Sequence, residues 1–163
     1  MQLSIQDFKD ILAVGIQLTV ETDSNRLLCS IVEKSMQITN CDSAALYLYE
    51  DTFLKFRIMR SISRNMSRGT DGEEITDLPP VPFQEENVCA YTAIHRRVVN
   101  IPDVYNSSEF DFSGPKKYDA ITGFHTTSML VIPLEDNQGN LLGVLQMINA
   151  QDEQGNVIPF DPQ

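Results

Sequence analysis

The sequence predicts an α+β fold, in which an antiparallel sheet carries helices on one face and long loops on the other. Residues 5–18 and 25–39 place apolar side chains at helical spacing. The segments after them change to short strand patterns separated by irregular stretches. Residues 128–149 form the clearest hairpin, because two almost continuously apolar runs flank a polar turn. Helices that are segregated from an antiparallel sheet are typical of the α+β class.

The composition indicates one soluble domain and argues against several classes of partner. The chain has 163 residues, of which 42% are hydrophobic and 21% charged, and this length suits one domain with a substantial core. Lys and Arg total 12 and Asp and Glu total 23, which gives a net charge of −11. Such an acidic surface argues against nucleic acids and anionic membranes as partners, because phosphate groups are bound by clusters of Lys and Arg. No apolar run approaches the roughly 20 residues that a membrane-spanning helix needs.

The cysteine and histidine content argues against a disulfide framework and against a protein-built metal site. Cys29, Cys41 and Cys89 are odd in number and widely spaced, which is typical of reduced thiols in a cytoplasmic protein. His95 and His125 are the two histidines. The sequence lacks the phosphate-loop, dinucleotide, zinc-protease and nucleophile-elbow motifs. We therefore expect a domain that holds no metal and is not itself an enzyme.

The first half of the sheet follows the second predicted helix. Residues 43–50 and 53–61 are predicted strands, and the alternation of apolar and charged residues in the second of them indicates one buried face. The two residues between them fit a hairpin. Residues 62–86 contain glycines, prolines and an acidic run, so they are expected to form a long loop, with a short edge strand at residues 74–78.

The second half of the chain adds a middle helix and one short strand before the hairpin. Residues 87–97 are predicted to form a short helix that is capped by Asn87, and residues 98–101 a short strand. Residues 102–124 are expected to be irregular, with one helical turn near residues 115–121, because Pro is favoured at a helix start.

The last residues predict the start of another helix. Asp161 is a good N-cap and Pro162 a good first helical residue. We therefore expect the chain to be a fragment of a longer protein, in which this helix leads to a downstream segment.

Two segments in a fixed order and spacing carry a family resemblance. They are "VVNIPDVY" at residues 98–105 and "YDAITGFHTTSMLVIPLEDNQGNLLGVLQMINA" at residues 118–150. Together they resemble the GAF domains of cyclic-nucleotide phosphodiesterases, adenylyl cyclases and bacterial signalling proteins. The resemblance implies a six-stranded antiparallel sheet with helices packed on one face and a loop-roofed ligand pocket on the other. It also implies a domain at residues 23–163, truncated at the start of its C-terminal helix, and an N-terminal linking or dimerising helix at residues 1–22.

The resemblance also assigns ligand-binding positions. In members that bind cyclic nucleotides, the start of the middle helix, the "D-x-x-T-G-F" turn with the Thr after it, and a polar residue of the last strand hold the ligand. The matching residues are Val88, Cys89, Asp119, Thr122, Thr126 and Gln146. Helix N–H groups, Thr hydroxyls and a carboxylate can bind phosphate, ribose and base respectively. Ala150 replaces the Lys that such members often carry after Asn149, so the identity of the ligand stays open.

Two functions from different classes are compatible with these residues. One is a regulatory sensor of a small ligand, with a cyclic nucleotide as a candidate, and the other is a ligand-free dimerisation and signal-relay module. In both, the domain pairs through flanking helices as a homodimer and acts on an effector domain in the same chain. Local chemistry leaves open whether Asp119, Thr122 and Thr126 face a ligand or tie their own turn. A third, enzymatic reading arises because the fold is shared with a free-methionine-sulfoxide reductase, but the cysteine spacing does not predict that chemistry.

Overall fold

The computed structural model describes residues 24–162, which contain three α-helices and eight strands. The helices are α1 (Ser24–Thr39), α2 (Val88–His95) and α3 (Ser113–Thr122), with a 3₁₀ turn at Val104–Asn106. The strands are β1 (Cys41–Glu50), β2 (Phe53–Ser61), β3 (Met66–Arg68), β4 (Val81–Pro82), β5 (Val99–Ile101), β6 (Met129–Glu135), β7 (Leu141–Gln151) and β8 (Val157–Ile158).

The strands form one antiparallel sheet. Its order is β3–β2–β1–β7–β6–β5, and the two-residue strands β4 and β8 pair with β2 and β7. The expected six-stranded antiparallel sheet is therefore confirmed, with two short strands added. Strand β7 pairs with β1 on one side and with β6 on the other, so the apolar hairpin lies at the centre of the sheet, as its continuous hydrophobicity predicts.

Successive side chains of the sheet enter two separate apolar clusters, because strand side chains alternate between faces. Ala44 and Leu46 of β1 pack in the cluster that includes Ile31 of α1. Ala45 and Tyr47 pack in the cluster that includes residues of α2. The α+β class is confirmed, and the described helices are divided between the faces: α1 covers one, while α2, α3 and the long loops cover the other.

Two local predictions differ from the structure. The edge strand expected at residues 74–78 is wrong, because this segment is irregular and its Asp77 forms an ion pair with Arg68 at the end of β3. The single turn expected near residues 115–121 is instead part of the ten-residue helix α3. That helix ends at Gly123, whose φ of 76° gives the left-handed C-cap that glycine favours.

Other predictions fall at or beyond the limits of the described residues. The helix expected at residues 5–18, and with it the N-terminal segment 1–22, lies outside them. Asp161 and Pro162 are irregular, and a helix that continues after them stays a prediction. No helix within residues 24–162 is long and apolar enough to cross a bilayer.

One turn sequence, Asp-x-Gln-Gly-Asn, occurs on both sides of β7. It joins β6 to β7 at residues 136–140 and β7 to β8 at residues 152–156. In each copy the Asp carboxylate accepts hydrogen bonds from the backbone N–H groups two and four residues later and from the Asn side chain, at 2.8–3.0 Å. These bonds lower the pKa of both carboxyls, and the bond from the Asn side chain has the largest effect. The two turns therefore hold β6, β7 and β8 in one continuous meander.

Gly143 lies where the backbone of β7 closely approaches that of β1. A Cβ atom at this position would lie 2.0 Å from the carbonyl oxygen of Tyr47. Since only backbone movement can relieve that overlap, we predict that Gly143→Ala lowers the free energy of unfolding by about 3 kcal/mol in urea denaturation. The control Gly114→Ala, in the first turn of α3, places its Cβ in open space and should change stability by less than about 1 kcal/mol. Equal stability of the two variants would contradict this packing.

Candidate ligand-binding cavity

A cavity of about 520 Å³ opens on the face of the sheet that carries α2 and α3. Its lining comes from β1, β2 and β7, from both helices, and from the end of the long loop before β4, and it is predominantly apolar. Lining residues include Tyr47, Gln146 and Ile148 from the sheet and Val88, Cys89 and Phe124 from the opposite wall. The loop-roofed pocket on this face is therefore present, with a volume inside the usual range of about 300–1,000 Å³ for small-molecule sites.

The sheet contributes two hydrogen-bonded polar pairs to the lining, Ser43 with Ser61 and Tyr47 with Gln146. The Tyr47 hydroxyl donates a hydrogen bond to Oε1 of Gln146 at 2.9 Å, and both side chains are buried. Burial raises the pKa of Tyr47 well above its ordinary value. The Gln146 amide nitrogen lies 3.3 Å from the sulfur of Met129, which is a weak acceptor. This amide is thus a buried donor group that a bound ligand can engage more strongly than the protein does.

Two of the first N–H groups of α2 are already satisfied by the chain itself. Asn87 is the N-cap, and its Oδ1 accepts from the backbone N–H of Cys89 at 2.9 Å and of Ala90 at 3.2 Å. This confirms the predicted cap. A ligand phosphate at the helix start would have to compete with Asn87 for these two donors.

The thiols of the domain are protonated at neutral pH. Burial raises the pKa of Cys89 to about 12 and that of Cys41 to about 11. Cys29 is half-buried, and burial is the main cause that raises its pKa as well. Because the thiolate is the nucleophilic form of cysteine, none of the three is poised for reaction.

The Asp119 carboxylate ties three segments together beside the cavity. Its Oδ2 accepts from the backbone N–H of Thr126 and from the Tyr105 hydroxyl, and its Oδ1 accepts from the Thr126 hydroxyl, each at 2.8 Å. The hydrogen bond to Asp119 raises the pKa of Tyr105. Asp119 is buried, and all three of its contacts are internal to the protein.

Thr122 also bonds to its own helix end. Its hydroxyl donates to the carbonyl oxygen of Tyr118 at 2.8 Å and accepts from the N–H of Phe124 at 3.3 Å. These are the local side-chain bonds that commonly close a helix C-terminus. The side chain therefore stabilises the turn between α3 and β6.

The structure brings some of the predicted site residues together and leaves others apart. Those that line the cavity are Val88, Cys89, Thr126 and Gln146, whereas Asp119 and Thr122 lie outside its lining. Ligand contact by any of the six stays a prediction.

Arg64 and Tyr118 also line the cavity, and the sequence gives no pattern that pairs them. The Arg64 guanidinium donates to the Tyr118 hydroxyl and lies 5.2 Å from the centre of its ring. Arg64 comes from the turn between β2 and β3, and Tyr118 comes from α3. Their contact therefore joins the turn between β2 and β3 to helix α3 beside the cavity.

Comparison with known proteins identifies a family model and individual relatives of this chain. Residues 23–163 match the family model described as "GAF domain". The dual 3′,5′-cyclic-AMP and -GMP phosphodiesterase 11A of Takifugu rubripes is 36% identical over 118 residues, which cover 69% of this chain and 12% of that relative. The chain thus corresponds to a small part of that relative's length.

Solved structures share the fold at low identity. The A. aeolicus nlh2 GAF domain in an inactive state aligns with a TM-score of 0.58 and 10% identity, over 91% of this chain and 81% of that one. The type II free methionine-R-sulfoxide reductase from Thermoplasma acidophilum aligns with a TM-score of 0.51 and 17% identity, over 91% and 84%. At such identities the likeness concerns the fold alone.

The three hydrogen bonds of Asp119 predict a structural role that does not need a ligand. We expect Asp119→Asn to lower the free energy of unfolding by about 2 kcal/mol in the ligand-free protein, because an amide cannot accept all three bonds. The measurement is urea denaturation, with Asp71→Asn on the exposed loop as the control. A fully stable Asp119→Asn variant would show that these bonds contribute nothing to folding.

The burial of the thiols predicts their reactivity. In the native protein we expect Ellman's reagent to modify one thiol, Cys29, and to reach Cys41 and Cys89 only after unfolding, because both are buried and protonated. Absorbance at neutral pH, with and without denaturant, measures this. The variant Cys29→Ser should lose the native reaction, and rapid modification of Cys89 in that variant would contradict the structure.

Proposed function

The chain belongs to the GAF domain family, and we propose that it binds a small molecule in its cavity as the regulatory sensor of a signalling protein. The observation that carries this proposal is the cavity itself. It has about 520 Å³ of space, a mainly apolar lining and a few polar groups, among them the Gln146 amide. This combination is characteristic of small-molecule sites.

A cyclic nucleotide is the first candidate ligand in this proposal. The relative that is 36% identical is named as a dual cyclic-AMP and cyclic-GMP phosphodiesterase. The rings of Tyr47 and Phe56, with centroids 4.4 Å apart, offer an aromatic surface on which a purine can pack. The Gln146 amide is a donor suited to the edge of a base.

The proposed role is binding rather than catalysis by the domain itself. The fold is similar to that of a methionine-sulfoxide reductase, whose name implies redox chemistry. In this chain, burial keeps the Cys89 thiol at the cavity protonated, with a pKa of about 12. A catalytic function is therefore assigned to an effector elsewhere in the full protein.

The proposal places the domain in a larger cytoplasmic protein. The chain corresponds to 12% of the length of its phosphodiesterase relative, which is consistent with an effector domain in the same polypeptide. Three free cysteines are consistent with a reducing compartment. Flanking helices at residues 1–22 and after Asp161 would join two copies as a homodimer and carry the signal between the sensor and its effector.

Native mass spectrometry combined with thermal unfolding tests ligand binding. We expect the purified protein to retain a small molecule, or its melting temperature to rise by at least about 5 °C with a saturating ligand from a panel of cyclic AMP, cyclic GMP and common metabolites. The ligand-free state serves as the baseline for each member of the panel.

A matched pair of glutamine variants tests whether the ligand binds in the cavity. Gln146→Ala removes the amide from the cavity and should weaken binding of the identified ligand by about tenfold. Gln138→Ala, in the exposed turn between β6 and β7, should leave binding unchanged. A protein that retains nothing and responds to no member of the panel would overturn the sensor function and leave the ligand-free relay role.

A further inference from the structure

Arg64 and Lys117 are the cationic cavity-lining side chains that form no ion pair within residues 24–162, and of the two Arg64 is partly buried whereas Lys117 is exposed. The contacts of Arg64 in the described residues are the hydroxyl and ring of Tyr118, and within residues 24–162 no carboxylate lies at ion-pair distance from it. Arg60, by contrast, pairs with Glu33 of α1 on the other face of the sheet. We infer that Arg64 is the anion-binding residue of the cavity, and that the ligand carries an oxyanion on an apolar or aromatic body.

This inference rests on the proposed sensor function and adds the class of ligand to it. Two sets of neutral donors that could hold an anion are already engaged by the protein. Asn87 takes the N–H groups of Cys89 and Ala90 at the start of α2, and Asp119 takes the N–H and hydroxyl of Thr126. Of the two cationic lining side chains without an ion pair, Arg64 is the less exposed and carries planar paired donors, so we expect an anion in the cavity to bind at Arg64 rather than at Lys117.

The acidic side chains at the mouth of the cavity do not neutralise Arg64. Asp77 pairs with Arg68, and Asp111 accepts from the backbone N–H of Ser113 at 2.9 Å. Both line the cavity together with the exposed Lys117. Each carboxylate is thus held by another partner, and the positive charge of Arg64 is directed only at a phenol.

The chemistry of the guanidinium explains why an oxyanion is favoured over a neutral group. Its planar donors match a carboxylate or phosphate in a bidentate arrangement, and the opposite charge of an oxyanion adds a Coulomb attraction that a neutral hydroxyl does not provide. A ligand oxyanion would therefore replace or share the Tyr118 hydroxyl as the acceptor. The apolar or aromatic part of the same ligand would pack against the apolar lining of the cavity.

Two dyes that differ in one group test this inference directly. The probes are 8-anilinonaphthalene-1-sulfonate, an aromatic oxyanion, and N-phenyl-1-naphthylamine, the same body without the sulfonate. Fluorescence titration of the complete chain should give tighter binding of the sulfonate. Arg64→Gln should weaken sulfonate binding about tenfold while it leaves binding of the neutral dye within twofold. Arg64→Lys keeps the charge but loses the planar donor pair and should give an intermediate loss.

A second pair of probes identifies the natural oxyanion. Cyclic AMP against adenosine tests a phosphate, and 1-naphthaleneacetate against 1-naphthaleneethanol tests a carboxylate. In each pair the anionic member alone should depend on Arg64. The variant Lys34→Gln, on the exposed side of α1, removes one positive charge far from the contact and should leave every titration unchanged.

The outcomes separate this inference from the proposed function. Equal weakening of both dyes by Arg64→Gln, or no weakening of the sulfonate, would overturn the role of Arg64 while the cavity remained a binding site. Binding of neither dye to the unmodified chain would overturn this inference as well, and it would also count against the sensor function, since a cavity of this size should accept either dye.

Discussion

The cavity depends on one buried carboxylate that joins the three segments around it. Asp119 lies near the end of α3, accepts from Tyr105 of the 3₁₀ turn, and accepts twice from Thr126 at the entrance to β6. A buried charge is tolerated only when its oxygens are hydrogen-bonded, and here the bonds come from a short 3₁₀ turn and from the irregular segment before β6. The same interaction that satisfies the carboxylate therefore fixes the loops against the sheet.

The sequence predicts the framework better than the recognition chemistry, and the reason is physical. Apolar periodicity specifies α1 and the β6–β7 hairpin because burial of one face is a local property of the pattern. The turn that contains Thr122 is also visible, since Gly123 and the capping bonds are local. Whether a polar side chain then faces the cavity depends on how α3 is rotated against the sheet, and the contact of Arg64 with Tyr118 spans 54 residues. Neither the rotation of α3 nor this contact can be predicted from a short segment of the sequence.

The polar residues of the family motif and the polar groups that are available to a ligand are therefore different residues. Asp119 bonds to Thr126, and Thr122 bonds to backbone groups of its own turn, so these motif residues contribute to the folding of the domain. The groups with weak protein partners are the Gln146 amide, beside a sulfur, and the Arg64 guanidinium, beside a phenol. Selectivity within one fold can therefore change at these weakly engaged positions without loss of the frame.

The paired Asp-x-Gln-Gly-Asn turns have a consequence for the floor of the cavity. Side chains of a strand alternate between faces, so a slip of β7 by one residue would send Gln146 to the α1 side and bring a neighbouring apolar residue into the cavity. With an identical hydrogen-bonded turn at each end, β7 cannot shift in either direction without breaking one of them. The turns thus fix the register of the central strand from both ends. Two surface turns that do not line the cavity therefore determine which side chains of β7 face it.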